Sequence, residues 1–555
     1  MKKVLLVLLT LMSTLSNSQP VTHTWATGYG GLSSSDDKMR TVVDNLGNIY
    51  VIGEFQGTKT FGSTTLTSIS NRDVFVAKFS NTGACLWAIK CSGPNFTSAK
   101  AGGITLDNNY NLYITGYYAQ SLSVGVQSVT ATGQAEIFIA RLDHAGNGVW
   151  LKSAGFFSSD KANDIAFDGS NGIYITGSFE SFAYFDATTS LTSVAGTVDI
   201  FLAKYDLTGT LVWVKSAGGN QPNDVGLAVK VDNAGNPVIS GYFSGVSTFG
   251  SLPNVTSLGF GDLFVAKYSA SNGNATWVTR AGGVGQDEAK GLGLDAQNNV
   301  YVSGIFSDTI FVNGTQLNDN GYVNALFIKM NSSGVIQFAK RIGGSGLDVA
   351  NDIAVEPGGH FYITGQYTGT ASFGTLANGN GASPSLSSSP PSNVEIFVAK
   401  YGGGGTPLWA FKMGNTGADI GKSVVSIGSG KVLAVGEFSS LITMGSTTLS
   451  ASIFGSYLTE LSGGTLGLNN SDQVYTLKSY PNPAANFVKV ELPFVLNETL
   501  SCEISNIKGQ IITENNLTMS PDRTVTVNFR NLTAGVYSVR LFNTSFESVS
   551  KVIIE

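Results

Sequence analysis

The chain has 555 residues, of which 13% are charged and 68 are glycine, and its formal net charge is −6. Charge at about half the usual ~25%, with abundant glycine, suits an all-β protein rich in tight turns. With no basic block, the chain lacks the electrostatic footprint of a nucleic-acid binder, and no nucleic-acid partner is expected.

In chain order, the first element is a leader over residues 1–18. Lys2 and Lys3 precede an apolar run from Val4 to Met12, and the small-residue triplet Ser16-Asn17-Ser18 ends it. This is the pattern of a cleaved signal peptide. The run is too short for the ~20 residues that span a bilayer, and no later apolar segment reaches that length, so no transmembrane segment is expected in the mature chain. No cysteine stands at the expected cut before Gln19 to take a lipid. The mature protein is expected to be exported and soluble.

From residue 19 to 462 the sequence repeats. Trp25, Trp87, Trp150, Trp213, Trp277, Phe338 and Trp409 recur at intervals of 62, 63, 63, 64, 61 and 71 residues. Each interval contains four short strand-like segments joined by turns. A glycine recurs in the second strand as Gly53, Gly116, Gly177, Gly241, Gly304, Gly365 and Gly436, followed two residues later by Phe55, Tyr118, Phe179, Phe243, Phe306, Tyr367 and Phe438. Glycine inside a strand is costly unless another group must approach its backbone, and the aromatic shares its face by the two-residue period. The aromatic is therefore expected to pack on the adjacent unit. Phe75, Phe138, Phe201, Phe264, Phe327, Phe397 and Tyr457 mark the third strand.

Units that cannot bury their apolar faces alone must stack, and four-stranded sheets in a radial array make a β-propeller. Residues 24–31 match only the fourth strand of a unit, while Asp419–Leu461 supplies only the first three. The two fragments add to one blade. The expected fold is therefore a seven-bladed β-propeller closed by the N-terminal strand, with Trp25 anchoring the closure.

Three local features carry their own expectations. Cys85 and Cys91 fall in one strand, ~20 Å apart at ~3.3 Å per residue, too far for a disulfide; they and Cys502 are expected to be unpaired. In unit five, Ala325–Met330 reads as one residue short, which predicts a bulge or register shift. The Ser/Pro-rich insertion 378–393 in unit six should form a mobile loop.

Gly47-Asn48-Ile49-Tyr50-Val51-Ile52-Gly53 and Asp73-Val74-Phe75-Val76-Ala77-Lys78 resemble the repeat of secreted bacterial β-propeller (SBBP-type) proteins. The resemblance covers residues 23–461. After a linker at 463–474, residues 475–555 change to short alternating strands such as Val488–Leu492 and Thr524–Phe529, which predicts a small Ig-like β-sandwich. Here Tyr480-Pro481-Asn482-Pro483, then Gly535 and Tyr537, then the terminal Lys551–Glu555 resemble the type A C-terminal sorting domain of type IX secretion substrates. The resemblance implies that the type IX machinery is a partner and that the protein is released or attached at the outer-membrane surface.

For chemistry, an aspartate stands 17 residues before most strand glycines: Asp36, Asp160, Asp224, Asp287, Asp348 and Asp419, with Ala99 in unit two. Six carboxylates near one mouth of a channel are candidate cation ligands, calcium among them, although an aspartate at that place also caps its own turn. A second series, Asp44, Asp107, Asp168, Asp232, Asp295 and Glu356, precedes hairpin-type turns. Lys78, Arg141, Lys204, Lys267, Lys329 and Lys400 are expected to be solvated or paired with neighbouring blades. With only His23, His144 and His360 and no hydrolase motif, no catalytic residue or cofactor is assigned. The expected function is a non-catalytic binding module for surface glycan or lipopolysaccharide. The competing expectation is a glycan-active hydrolase or lyase using carboxylates at the channel mouth.

Overall fold

The protein is described by a computed structural model over residues 21–30, 38–69, 72–93, 98–312, 314–319, 322–374, 384–414, 417–444, 447–463, 479–491, 500–506, 511–517, 524–529, 532–542 and 547–554. The expected leader, Asp36, residues 464–474 of the linker and residues 375–383 lie outside them. The chain divides into two units, Val21–Ser462 and one beginning at Gly463.

The first unit is a seven-bladed β-propeller. In blade three, Lys161–Phe167, Gly172–Glu180, Val198–Asp206 and Leu211–Gly219 hydrogen-bond in that order as strands one to four. Blades one to six take up residues 40–92, 99–154, 161–219, 225–283, 288–342 and 349–413. Blade seven combines Ile420–Gly428, Lys431–Met444 and Thr447–Gly463 with the N-terminal strand Val21–Gly30. Thr459 Oγ1 donates to the Trp25 carbonyl at 2.8 Å. The ring thus closes by strand pairing.

The tryptophan ladder works between blades. Trp25, Trp87, Trp150, Trp213, Trp277 and Phe338 each cover the turn glycine of the following blade, at Gly83, Gly146, Gly209, Gly273, Gly334 and Gly405. A Cβ at Gly83 would lie 2.5 Å from the Trp25 ring, and one at Gly273 would lie 2.6 Å from Trp213. The contact across the closure is the same as the contacts elsewhere. The second-strand glycine admits a carbonyl from its own blade's first strand: a Cβ at Gly241 would lie 1.9 Å from Val225 O. The carbonyl gets that close because the first strand carries a bulge there, between Gly226 and Ala228. The aromatics two residues on enter clusters shared by adjacent blades, as Phe306 does with Val238 and Leu263 of blade four.

Unit five does not lack a residue. Its third strand, Asn324–Met330, has the seven residues of Asp262–Tyr268, and its register shift at Lys329/Met330 recurs at Lys267/Tyr268 and Lys400/Tyr401. What changed is the face. Gly304 pairs with Leu326, where Gly241 pairs with Phe264, so Phe327 points the opposite way and packs with Tyr301, Phe361 and Tyr401. A one-residue offset exchanges the two faces of a strand.

Between strands two and three the sequence looks variable, yet each blade builds a hairpin there. In blades two, four and five it pairs with the fourth strand of the preceding blade: Ser121–Val124 with Cys85–Ser92, Val246–Phe249 with Leu211–Gly219, and Ile310–Val312 with Ala275–Gly283. Adjacent blades are thereby clasped. The described end of the blade-six insertion belongs to such a hairpin and is no mobile loop: Ser385–Ser387 pairs with Thr370–Ser372, because Leu386 packs against the apolar cluster around Phe373 and Phe397.

The C-terminal unit holds a three-stranded sheet, containing Phe487–Glu491 and Thr524–Asn528, and a four-stranded sheet, containing Leu500–Asn506 and Gly535–Phe542. Val488, Val490, Ile504, Val525, Val527 and Val539 form its core. Asn482 Oδ1 accepts from Ile553 N at 2.9 Å, and Ala484 N donates to Ile553 O at 2.8 Å. Tyr537 donates to Thr533 O at 2.8 Å, and Lys551 lies in the last strand, paired with Ser538. Cys85, Cys91 and Cys502 are free thiols.

Candidate functional site

Asp160, Asp224, Asp287, Asp348 and Asp419 are fully buried at the handover from the fourth strand of one blade to the first strand of the next. Each carboxylate accepts backbone N–H bonds. Asp224 takes Gly219 N of blade three at 2.8 Å and Ser244 N of blade four at 2.8 Å. Asp160 takes Phe156 N at 2.8 Å and Glu180 N at 3.2 Å; Asp287 takes Gly283 N and Ser307 N. The series therefore ties blades together. Among the described residues, no group of three or more His, Cys, Asp or Glu side chains is placed to hold a metal ion.

Burial is the largest influence on these carboxyls and pushes Asp160 and Asp287 up to about 7 and Asp224 and Asp348 up to about 6. Neighbouring acids add to it: Glu136 for Asp160, Asp199 for Asp224 and Asp262 for Asp287. These values lie above the ~3.9 of an unfolded aspartate, so between about pH 4 and 7 the folded chain holds more protons. Stability then rises as pH falls through that window. The melting midpoint is expected to be several degrees higher at pH 5 than at pH 8, with Asp287→Asn flattening the slope; an equal or higher midpoint at pH 8 would contradict the assignment.

The second acidic series forms turns. Asp44 Oδ1 accepts from Leu46 N and Asn48 N at 2.9 and 2.8 Å, and Asp107 and Asp295 repeat the arrangement. Three of the recurring cations stay with their own blade's turn acid: Lys204 lies 3.0 Å from Asp168 and over the Tyr174 ring, Lys267 lies 2.7 Å from Asp232, and Lys400 sits 3.6 Å from Glu356 over Tyr362, whereas Lys329 of blade five reaches the next blade and donates to Gly403 O at 3.0 Å. Tyrosine and acid converge there because the turn folds back on the second strand.

The boundary after blade two carries an aromatic residue where others carry a second glycine. Where outer strands end in Gly218-Gly219, Gly282-Gly283 and Gly343-Gly344, blade two ends in Gly155-Phe156. A Cβ at Gly219, Gly283 or Gly344 would lie 1.9, 2.2 or 1.9 Å from the carbonyl of Val246, Thr309 or Thr370 in the next blade's hairpin. The blade-three hairpin meets the outer strand of blade two through the Gly155/Tyr184 bridge, as the blade-six hairpin meets that of blade five through Gly343/Ser372.

A cleft of about 640 Å³ lies between blades two and three, within the usual range for ligand sites. Phe156 and Tyr184 line it, and Phe157 and Phe182 pack against them, with ring centroids 4.1–5.9 Å apart. Phe157 is 65% and Tyr184 39% exposed. The floor is polar: Glu136 accepts from Thr132 N and Oγ1 at 2.6 and 2.7 Å and from Ser153 Oγ at 2.7 Å. The Ser153 and Tyr118 hydroxyls lie 2.8 Å apart. Exposed Lys152 and Asp186 stand at the rim. Sequence reasoning passed over this cleft, and its signal was the paired phenylalanines at a glycine position. A second opening of about 370 Å³, lined by Val355–Gly358 and Ser426, Gly428, Ser429 and Gly430, carries no aromatic wall.

Residues 478–555 match the secretion system C-terminal sorting domain, so the chain carries a type IX sorting tail. The chain is 24% identical over 451 residues to an uncharacterised WD repeat-containing protein of Acanthamoeba polyphaga mimivirus, covering 66% of this chain and 32% of that protein. It is 29% identical over 168 residues to the regulatory protein FlaEY of Caulobacter vibrioides, covering 29% of this chain and 17% of that protein. The chain thus matches a third or less of the length of these relatives. Among solved structures, a quinohaemoprotein alcohol dehydrogenase of Pseudomonas putida aligns at TM-score 0.38 and 10% identity over 87% of this chain and 81% of that one. A Synechocystis apocarotenoid oxygenase aligns at 0.36 and 11% over 80% and 94%. No helix of the described residues is long and apolar enough to cross a membrane.

Proposed function

We propose that this protein is an exported binding module of the SBBP type. The leader takes it across the inner membrane, the tail addresses it to the type IX machinery as a small Ig-like sandwich, and the propeller presents the cleft between blades two and three to surface material such as glycan or lipopolysaccharide. The observation that carries the reading is the cleft itself, where Phe156 stands at a position that is glycine at three other boundaries, beside Tyr184 and exposed Lys152 and Asp186. Ligand sites are distinguished from scaffold by what differs between repeats. The oxygens of Glu136 and Asp160 accept bonds from Thr132, Ser153, Phe156 and Glu180. Carboxylates committed in this way favour binding over hydrolysis, which needs an acid and a base within reach of substrate.

The full chain, mixed with washed envelopes of the cells that produce it, is expected to sediment with them. The double variant Phe156→Ala/Tyr184→Ala should lose at least fivefold of the pelleted protein. Equal sedimentation of the two proteins would remove the cleft from the reading.

A further inference from the structure

We infer that the axis of the propeller holds a binding site for a small multivalent oxyanion, of phosphate or polycarboxylate type, gripped by Lys38, Arg40, Lys100 and Lys161. This site is separate from the cleft and does not depend on it.

The first strands of successive blades lie against one another all the way round, so they form the inner wall of the ring. In blades two to seven that strand bulges, and the extra residue is Gly102, Asn163, Leu227, Lys290, Asn351 or Lys422. Blade one differs, since Arg40–Val43 pairs with Ile49–Ile52 in unbroken register. It sends two cations to its neighbours' bulges instead. Lys38 Nζ donates to Asn163 O of blade three, and Arg40 Nη1 donates to Lys422 O of blade seven at 3.1 Å. Blade two stands between blades one and three, and Gly102 at its bulge puts no side chain in the path of Lys38.

Lys100 and Lys161 stand half-buried at the start of the next two first strands, opposite Tyr117 and Ser178. Blades four, six and seven carry Val225, Val349 and Ile420 at that register, and blade five carries Glu288. Further round the wall, Lys290 and Lys422 are matched by Glu288 and Glu437 at 2.8 and 3.4 Å. Blades one to three hold the unmatched charge. Among the described residues, none of Lys38, Arg40, Lys100 and Lys161 forms an ion pair. The two acids that bear on Lys38 are engaged elsewhere: Glu54 accepts from Ala101 N at 3.2 Å and faces Arg72 at 3.5 Å, and Asp164 accepts from Val229 N at 2.9 Å. Donors remain in supply. Among the described residues, Arg40 Nε and Nη2 and the ammonium groups of Lys100 and Lys161 donate no hydrogen bond. Burial and the Arg40 and Lys290 charges push the Lys38 ammonium down to about 7, against the pull of Asp164 and Glu54. Cations gathered in an enclosed place without counter-charge are costly, and such a place focuses its field on an incoming anion. The chain as a whole carries a net charge of −6, so this concentration is no by-product of a basic surface. A guanidinium fork beside three ammonium groups matches a phosphate or carboxylate ligand of more than one charge. With Lys38 lying across the ring, that ligand is a small molecule rather than a polymer.

The test is calorimetry of the full chain with inorganic pyrophosphate and, separately, with citrate, at low ionic strength where charge attraction is least screened. At least one of the two is expected to bind saturably at a single site and to raise the melting midpoint. Arg40→Gln should weaken that binding about tenfold or more. So should Lys100→Met/Lys161→Met, whose ammonium groups hold no hydrogen bond in the fold, and this double variant decides the matter if Arg40→Gln does not fold. Lys152→Met, which removes an exposed cation at the cleft, and Phe156→Ala/Tyr184→Ala should bind as the native chain does. Tighter binding of pyrophosphate assigns the site to phosphate compounds, and tighter binding of citrate assigns it to polycarboxylates. The inference is overturned if neither ion binds, or if Lys152→Met or the cleft double variant weakens binding as much as Lys100→Met/Lys161→Met does.

Discussion

Deleting residues 478–555 is expected to lower the amount of this protein in the medium and on the cell surface at least tenfold, with the propeller retained inside the cell. The tail has its own core around Val488, Val525 and Val539, and the propeller closes through Val21–Gly30 with no strand from the tail. Removing the tail therefore removes an address and leaves the propeller's pairing intact. Within the tail, Asn482 and Ala484 bond the backbone of Ile553, which sets the Pro-Asn-Pro segment beside the last strand, and Tyr480 is 46% exposed there. Residues far apart in sequence thus form one surface. Fractionation and immunoblotting against the propeller measure the outcome; a truncated chain found outside at the full-length level would disprove the address.

The second large effect concerns closure. Deleting residues 21–30, with the leader kept, is expected to lower the melting midpoint by roughly 10 °C or more and to produce oligomers. The contacts of two aromatic side chains disappear. Tyr29, 1% exposed, packs with Phe61 and Phe79 at centroid distances of 5.2 and 5.4 Å, and Trp25 covers Gly83. At ~150–250 Å² per aromatic and ~25 cal/mol per Å², their loss costs up to about 7–12 kcal/mol, comparable with a whole domain's margin of ~5–15 kcal/mol. The strand Thr447–Gly463 would also present an unpaired edge, which recruits other chains. Calorimetry and size-exclusion chromatography report both effects. A monomer with an unchanged midpoint would mean that the ring holds without its N-terminal strand.

Individual residues show where reading the sequence stops. The glycine at 241 announced a close approach, but the identity of the approaching group, Val225 O, depends on a bulge that no residue type marks. Phe327 sits in the ladder of third-strand aromatics by spacing, yet pairing turns it to the other face. Asp224 was legible as a turn cap; its second bond, to Ser244 N twenty residues on, was not, since the turn and the second strand meet only when adjacent blades assemble.

The sequence by itself determined the all-β class, the count of seven blades and the closure by the strand around Trp25. These follow from period and from two incomplete ends, and period survives in one dimension. Only the tertiary structure decided the hairpin clasps, the face of Phe327 and the cleft beside Phe156. Each arises where two blades meet, from residues that lie in different repeats and so share no local pattern. Packing at a boundary is set by the space one backbone leaves for the next.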